Sequence, residues 1–420
     1  MLGIGGISMS SLAIFAKQEG MDVSGSDETE SVATNILEKN GINIDFCPNF
    51  QKISQSDEVV FSSAIKEDNP QFQFAKRCGK RLLTRGEFLG QIAQKYEKVI
   101  AVAGSHGKTT TTAMIYQILK VSGKNPTLHL GGYKIDDEKN FVIGDREFFI
   151  TEACEYCDNF LNLNPYISVV TNVEKEHMDY FKTFENQLKS FEKFKSQSKH
   201  VVDGVDDFKA KNFKHDKDGN LIFSLYKGED KIMRLHLKIC EEVNAINCIY
   251  AYRVAKKLGL SDCQIKLGLE TFEGVKTRFE RVKSSCFEHV ILDYAHHPTE
   301  IKKAIKTAKK VFKNKRLITI FQPHTYSRTK HLLREFLNVF KGQELPIFFK
   351  TYSARERPDE GVSAKEFVEL LKKYNKNAIF FENFADLSDF FKNFKNDEVV
   401  LLFLGAGDLP SILYKNKFIE

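Results

Sequence analysis

The chain has 420 residues and a mass of 48.1 kDa, enough for several domains at about 100–200 residues each. Hydrophobic residues make up 42% and charged residues 28%, ordinary globular usage that excludes disordered, collagen-like and coiled-coil chains. Lys and Arg number 62 against 56 Asp and Glu, and the resulting +6 is spread without a basic patch or arm, so charge nominates no nucleic-acid partner.

In chain order, GIGGISMSSLAIFAKQEG (3–20) is a glycine cluster running into an amphipathic helix, and MDVSGSD (21–27) reads as a strand ending in an acid. In a Rossmann-like unit such glycines approach a pyrophosphate and the acid meets a ribose or base; a plain tight turn is the alternative. Only Met1 and Leu2 precede Gly3, so the first strand of such a unit is expected to lie upstream or to be absent. No apolar run approaches the roughly 20 residues that span a bilayer, and MLGIGGISMS lacks the basic and apolar parts of a signal peptide. A cytoplasmic protein without membrane insertion is expected. A helix over GEFLGQIAQKYEK (86–98) closes this first segment, with a boundary near 97.

Apolar strands then alternate with amphipathic stretches: VIAVAG (99–104), FVIG and FFITEA (141–153), YISVVTN (166–172), HVILDYA (289–295), RLITIFQ (316–322) and EVVLLFLG (398–405). Continuous apolar strands separated by helices predict an α/β protein with parallel sheets covered on both faces. The first of these strands opens VIAVAGSHGKTTTTAMIYQIL (99–119), a strand, a Gly/Ser/His turn, then Lys108, Thr109 and an apolar-periodic helix. This order is phosphate-loop mechanics: helix N-terminal amides wrap a phosphate, Lys108 reaches its terminal oxygens and the Thr109 hydroxyl completes a Mg²⁺ shell. Val102 stands where the strict G-x-x-x-x-G-K-[ST] pattern has its first Gly, so a different loop subtype is expected. Glu152, at the end of a strand beside this loop, is well placed as a hard oxygen ligand for Mg²⁺; His177, in VVTNVEKEHMD, is a ligand or a surface histidine.

Eight scattered cysteines predict free thiols, and Cys154-x-x-Cys157 has no second Cys/His pair at zinc-finger spacing, so it is read as coincidence. After the helical EVNAINCIYAYRVAKKLG (242–259), a second boundary falls near 275, before VKTRFERV. ILDYAHHPTEI (291–301) and IFQPHTYSRTKHLL (320–333) are each a strand, a His-bearing loop and a helix. On adjacent parallel strands these loops would face one crevice, where His296, His297, His324 and Arg328 suit an anionic substrate such as an amino-acid carboxylate. The alternative for each histidine is a helix start. Arg278 is either a mobile arginine reaching a transferring phosphoryl group or an ordinary surface residue.

Taken together, GIGGISMS, SGSD, SSAI, AGSHGKTTTT, EACE, TNVEKEHMD, VKTRFE, DYAHHPTEI, QPHTYSRT and GAGD, in this order over nearly the whole chain, resemble the Mur ligases. The resemblance implies three domains: 1–97, Rossmann-like and binding a UDP-sugar; 98–274, the central phosphate-loop ATP-binding domain; 275–420, Rossmann-like and binding an amino acid. It implies ATP and Mg²⁺ as cofactors, UDP-N-acetylmuramate and L-alanine as substrates, and a monomer or weak homodimer. The QPH element followed by Arg328 favours free L-alanine over a peptide acceptor, with glycine, serine or a peptide as alternatives.

By match to the family's motifs, Gly3, Gly5, Gly6, Ile7 and Ser8 contact the UDP pyrophosphate, and Asp27, Ser62 and Ser63 line the UDP-sugar site. Gly104, Ser105, His106, Gly107, Lys108, Thr109 and Thr110 hold ATP, and Thr109, Glu152 and His177 hold the metal. Arg278 and Asp293 close over the nucleotide, while His297, His324 and Arg328 form the amino-acid pocket. Lys108, Glu152, His177 and Arg278 are the expected catalytic set. The family's G-x-H-N-x-x-N stands here as residues 241–247 with Gly and His lost, leaving Asn244 and Asn247 for the adenine, and Thr325 replaces an arginine common after the QPH histidine. A non-catalytic nucleotide-binding protein remains the reading from a different class, while the phosphate loop disfavours a dinucleotide oxidoreductase.

Overall fold

The computed structural model describes residues 1–136, 139–354, 356–357 and 361–420, the side chain of Asp179 excepted. The chain divides into two compact units, one of Met1–Asn212, Phe223–Leu235 and Val243–Glu273, the other of Phe213–Ile222, His236–Glu242 and Gly274–Glu420. Among the described residues no helix is long and apolar enough to cross a membrane.

The first unit is built round a six-stranded sheet in the order His200–Asp203, Ile167–Val170, Lys98–Ala103, Phe148–Glu152, Thr127–His129, Phe141–Val142. All pairs are parallel except the last. Its central strands are apolar along their length because helices cover both faces, as a parallel sheet requires. On one face the helix Lys108–Val121 packs against Asn244–Lys257 and Asp262–Glu270. Gly268 permits this approach, since a Cβ there would stand 2.5 Å from Ile118 Cα.

Residues 1–97 carry two parallel strand pairs, Ser24–Ser26 with Asn43–Asp45 and Glu58–Phe61 with Arg81–Thr84. Leu2 makes single parallel bridges to both Ser26 and Phe61, so the position of a first strand is held by this one residue, its side chain buried among Ile53, Val59, Phe72 and Ala75. The helix expected over 86–98 spans Arg85–Ala93 instead, starting from a Thr84–Glu87 capping box. It stops early because Tyr96 turns inward to stack on Phe149, with ring centroids 5.0 Å apart, and Lys98 already begins the central strand.

The second unit holds a six-stranded sheet ordered Glu280–Val282, Val290–Asp293, Val399–Leu404, Arg316–Phe321, Pro346–Phe349, Ile379–Phe381, parallel but for its first pair. The two His-bearing strands are therefore not adjacent: Val399–Leu404 lies between them. One face of the sheet is an aromatic core in which Phe340 meets Phe321 at 5.3 Å and Phe348 at 4.9 Å. Phe340 is fully buried, so Phe340→Ala should cost about 3–5 kcal/mol through lost transfer energy and a residual cavity. Urea unfolding followed by tyrosine fluorescence should show an earlier transition for the variant, with a slope close to that of the parent.

Candidate active site

The phosphate-loop turn is fixed from behind by the next strand's loop. Asn172 grips His106 at two points, its Oδ1 accepting from the backbone N–H at 2.9 Å and its Nδ2 donating to the carbonyl at 3.0 Å. Thr171 Oγ1 donates to the same carbonyl at 2.6 Å, and Ser105 N donates to Asn172 O at 3.0 Å. Gly104 (φ 128°) and Gly107 (φ 83°) are the two positions where this path demands glycine. A Cβ on Gly104 would collide with Thr171 Oγ1, and one on Gly107 would stand 2.5 Å from Asn247 Oδ1. Asn247 is thereby brought against the loop; it is buried and donates to Asn244 Oδ1 at 2.8 Å, so the two asparagines expected to meet adenine form one pair. Thr110 lies half-buried on the first helical turn.

Lys108 Nζ donates to Gly104 O and lies 3.2 Å from Glu155 Oε1. Burial works against its charge, but Glu155, with Glu152 and Glu176, outweighs that and holds the ammonium pKa above its ordinary value. Thr109 Oγ1 donates to Glu152 Oε2 at 3.1 Å, while Glu152 Oε1 accepts from Gly131 N at 2.6 Å. His177, in left-handed backbone (φ 55°), packs its ring on Tyr156 at 4.9 Å and points Nε2 at Glu155 Oε1, 3.8 Å away. The three expected metal donors thus fall into two groups: Thr109 with Glu152, and His177 with Glu155. Glu155, Glu176 and His177 have candidate ligand atoms all within 4.8 Å of one another. Carboxylate and hydroxyl oxygens suit Mg²⁺, and the imidazole is the less usual partner. Glu155 is passed over in the sequence because it sits inside C-x-x-C, whose two cysteines form no disulfide.

At the glycine cluster, Gly5 N donates to Asp27 Oδ2 at 2.7 Å, and a Cβ on Gly5 would stand 3.0 Å from that oxygen. Gly3 (φ 69°) lies so close to Ser62 that a Cβ would be 2.7 Å from its Oγ. Gly6 and Ile7 are exposed at the N-terminus of helix Ile7–Gln18, and Ser63 is exposed on the neighbouring turn. Ser8 Oγ accepts from Arg85 Nη1 at 3.0 Å. Arg85 carries no sequence signal; only the fold brings it to the turn.

In the second unit, Asp293 accepts from Phe279 N at 2.8 Å and Ala295 N at 2.7 Å, and burial pushes its pKa up to about 6 against those bonds and the nearby Arg278 charge. The Arg278 guanidinium lies 4.7 Å from the centre of the Tyr294 ring. Although their strands are separated, the rings of His296 and His324 approach to 5.9 Å, and Arg328 Nη1 lies 3.0 Å from His324 Nδ1. At the GAGD turn after the intervening strand, Gly405 (φ 140°) and Gly407 leave room for Gln322. Gln322 then accepts from Leu409 N at 3.0 Å and donates to Asp408 Oδ1 at 2.8 Å. His297 instead caps the helix Pro298–Val311, accepting from Thr299 N at 3.4 Å.

The chain matches three family descriptions in succession: Mur ligase family, catalytic domain, over residues 1–97; Mur ligase middle domain, over 102–234; and Mur ligase, glutamate ligase domain, over 277–407. It is 36% identical over 440 residues to the UDP-N-acetylmuramate–L-alanine ligase of Caldicellulosiruptor bescii, covering 98% of this chain and 96% of that one. The chain belongs to the Mur ligase family. The relative of the same name in Agathobacter rectalis is 36% identical over 439 residues, covering 98% and 95%. Among solved structures, the UDP-N-acetylmuramate-alanine ligase of Thermotoga maritima superposes with a TM-score of 0.86 at 26% identity, over 99% of this chain and 96% of that one. The murein peptide ligase of Psychrobacter arcticus shares the fold, with a TM-score of 0.70 at 21% identity and the same coverages. The α/β architecture in three domains is thus that of the Mur ligases.

In this Mur ligase, burial, with a contribution from the Arg328 charge, pushes both His296 and His324 down to about 4. Their folded pKa values lie below the unfolded value of about 6.5, so the neutral forms stabilise the fold fully above about pH 6.5. That contribution is lost as pH falls from there towards 4. Imidazole NMR titration should give midpoints near 4 for both; ordinary midpoints would contradict the packing described.

Proposed function

We propose that this Mur ligase joins L-alanine to the carboxylate of UDP-N-acetylmuramate at the expense of ATP, giving UDP-N-acetylmuramoyl-L-alanine, ADP and phosphate. The observation that carries the reading is the Lys108 loop, with Asn247 against Gly107 and three carboxylates beside it, in a chain whose relatives bear that ligase's name over their whole length. A carboxylate is a poor electrophile, and activation as an acyl phosphate makes one of its oxygens part of a phosphate leaving group, which departs when the amine of L-alanine bonds to the acyl carbon. Lys108 neutralises the charge on the transferred phosphoryl group, and the amides of the loop hold its oxygens.

Thr109 and Glu152 would hold one Mg²⁺ and Glu155, Glu176 and His177 another. Bound there, the ion supplies positive charge to the phosphate oxygens. Arg278 adds a guanidinium to the nucleotide, with Asp293 fixing the backbone after it through Phe279. Asn244 and Asn247 hydrogen-bond the adenine. Gly3, Gly5, Gly6, Ile7 and Ser8 receive the UDP pyrophosphate, with Asp27, Ser62 and Ser63 beside them. In the amino-acid site, Arg328 meets the L-alanine carboxylate and His324 orients it; His297, engaged as a helix cap, shapes the loop. The protein works in the cytoplasm as a monomer or weak homodimer, with compact boundaries near residues 97 and 275.

Phosphate release should require UDP-N-acetylmuramate, ATP, Mg²⁺ and L-alanine together, and should be weak with glycine, L-serine or murein tripeptide. Release with the tripeptide alone would overturn the choice of acceptor. Lys108→Ala should lower kcat by at least about a thousandfold while leaving UDP-sugar affinity within about threefold. Calorimetric titration with UDP-N-acetylmuramate checks the second half.

A further inference from the structure

Behind the glycine turn lies a hydrogen-bonded chain whose middle members, His129 and Thr151, none of the roles above uses. Arg85 Nη1 donates to Ser8 Oγ at 3.0 Å; Ser8 Oγ meets His129 Nε2 at 3.0 Å; His129 Nδ1 meets Thr151 Oγ1 at 2.8 Å; and Thr151 Oγ1 donates to Glu152 O at 2.9 Å. His129 ends the strand Thr127–His129, is 2% exposed, pairs with Thr151 in the sheet, and has its ring set edge-on to Phe141 with centroids 6.1 Å apart.

The two ends determine every proton between them. A carbonyl oxygen only accepts, so the single Thr151 hydroxyl proton is committed to Glu152 O, and Thr151 must accept from His129. His129 therefore carries its proton on Nδ1. A neutral imidazole with N–H at one nitrogen accepts at the other, so Ser8 must donate to Nε2. That leaves the Ser8 lone pairs facing Arg85, which only donates. Burial, with the Arg85 charge, pushes the His129 pKa down to about 3, in keeping with a neutral ring.

We propose that His129 is a positioning residue for the UDP-sugar diphosphate: by taking the Ser8 proton it turns the Ser8 oxygen towards Arg85 and pins that guanidinium at Ser8, the residue that follows the exposed Gly6 and Ile7 in the turn. The proposal rests on the reading that this turn receives the diphosphate. A cation fixed in advance loses less freedom when the anion arrives than one that must be recruited from solvent. The same chain ends on the backbone of Glu152, so the diphosphate turn and a carboxylate beside the phosphate loop share one polar thread.

Two variants divide the thread. The Gln amide reaches where Nε2 lies and can still accept from Ser8, whereas the Asn amide reaches only the Nδ1 position and keeps the Thr151 half. In the full chain, His129→Gln should keep the Kd for UDP-N-acetylmuramate within about threefold, and His129→Asn should raise it about tenfold. The KM for ATP and for L-alanine should stay within about twofold in both. Losses that are equal in the two variants and track their thermal midpoints would mean the ring only packs, and would overturn the proposal. No UDP-sugar binding by the unaltered chain would overturn the functional reading and the proposal with it. A third measurement needs no variant fold: in protein labelled with 15N-histidine, the buried ring should show the Nδ1–H tautomer unchanged from pH 5 to 8. An Nε2–H tautomer would overturn the direction of the thread.

Discussion

The ion pair between Lys108 and Glu155 is the constraint on which the first unit's chemistry depends. Glu155 is 1% exposed on its side chain, and a carboxylate so enclosed is costly unless a cation and hydrogen bonds compensate it. The compensation comes from an ammonium that the loop must deliver, and the loop can deliver it only by folding Gly104 against Thr171 and Gly107 against Asn247. The turn after strand Phe148–Glu152 has to carry Glu155 back over that loop, which places Glu176 and His177 around the same carboxylate. An anion brought to Lys108 would have to compete with Glu155 for the ammonium, because that carboxylate already holds it at 3.2 Å.

Both six-stranded sheets use the same topology to build a site. Parallel strands end together on one edge, and their loops carry polar groups that the apolar strands cannot hold. In the first unit the shared edge runs through Val102, Glu152 and Val169. In the second it runs through Asp293, Leu404 and Phe321. On the second edge Gln322 ties the loop after Arg316–Phe321 to the turn after the intervening strand, with the glycines of GAGD leaving space for its side chain. Gln322 of the QPH motif is thus a packing device.

What could be read from the sequence was what local order fixes. The strand, Gly turn, Lys-Thr and helix of residues 99–119 are contiguous, so their joint meaning is visible without the fold, and the apolar strands announce a parallel sheet by composition alone. What could not be read depends on distance in three dimensions. Glu155 lies in a C-x-x-C that draws attention to its sulfurs, while its function as the Lys108 partner comes from a turn. Arg85 and His129 are single polar residues at a helix start and a strand end, where sequence offers only capping or burial as their reasons. The strand between the His-bearing loops comes last in the chain, and no periodicity reveals that insertion. Helix Arg85–Ala93 ends early because Tyr96 finds a ring to stack on, a tertiary override of a helical pattern.

The departure at Thr325 has a physical counterpart in the backbone. Thr325 sits at φ 66°, a region costly for a β-branched residue, and it is held there from both sides: its N–H donates to Tyr352 O at 2.9 Å, and Tyr352 N donates to Pro323 O at 2.9 Å. Its carbonyl accepts from Thr329 Oγ1 at 2.9 Å, which ties the strained residue to the helix bearing Arg328. The strain therefore does positional work: it turns the chain sharply enough that His324 and Arg328, four residues apart, face one another at 3.0 Å. An arginine at this position would add a charge to a loop that already pairs Arg328 with a neutral histidine. The threonine leaves Arg328 as the guanidinium of the turn itself, with its Nη1 set 3.0 Å from His324 Nδ1 by that geometry.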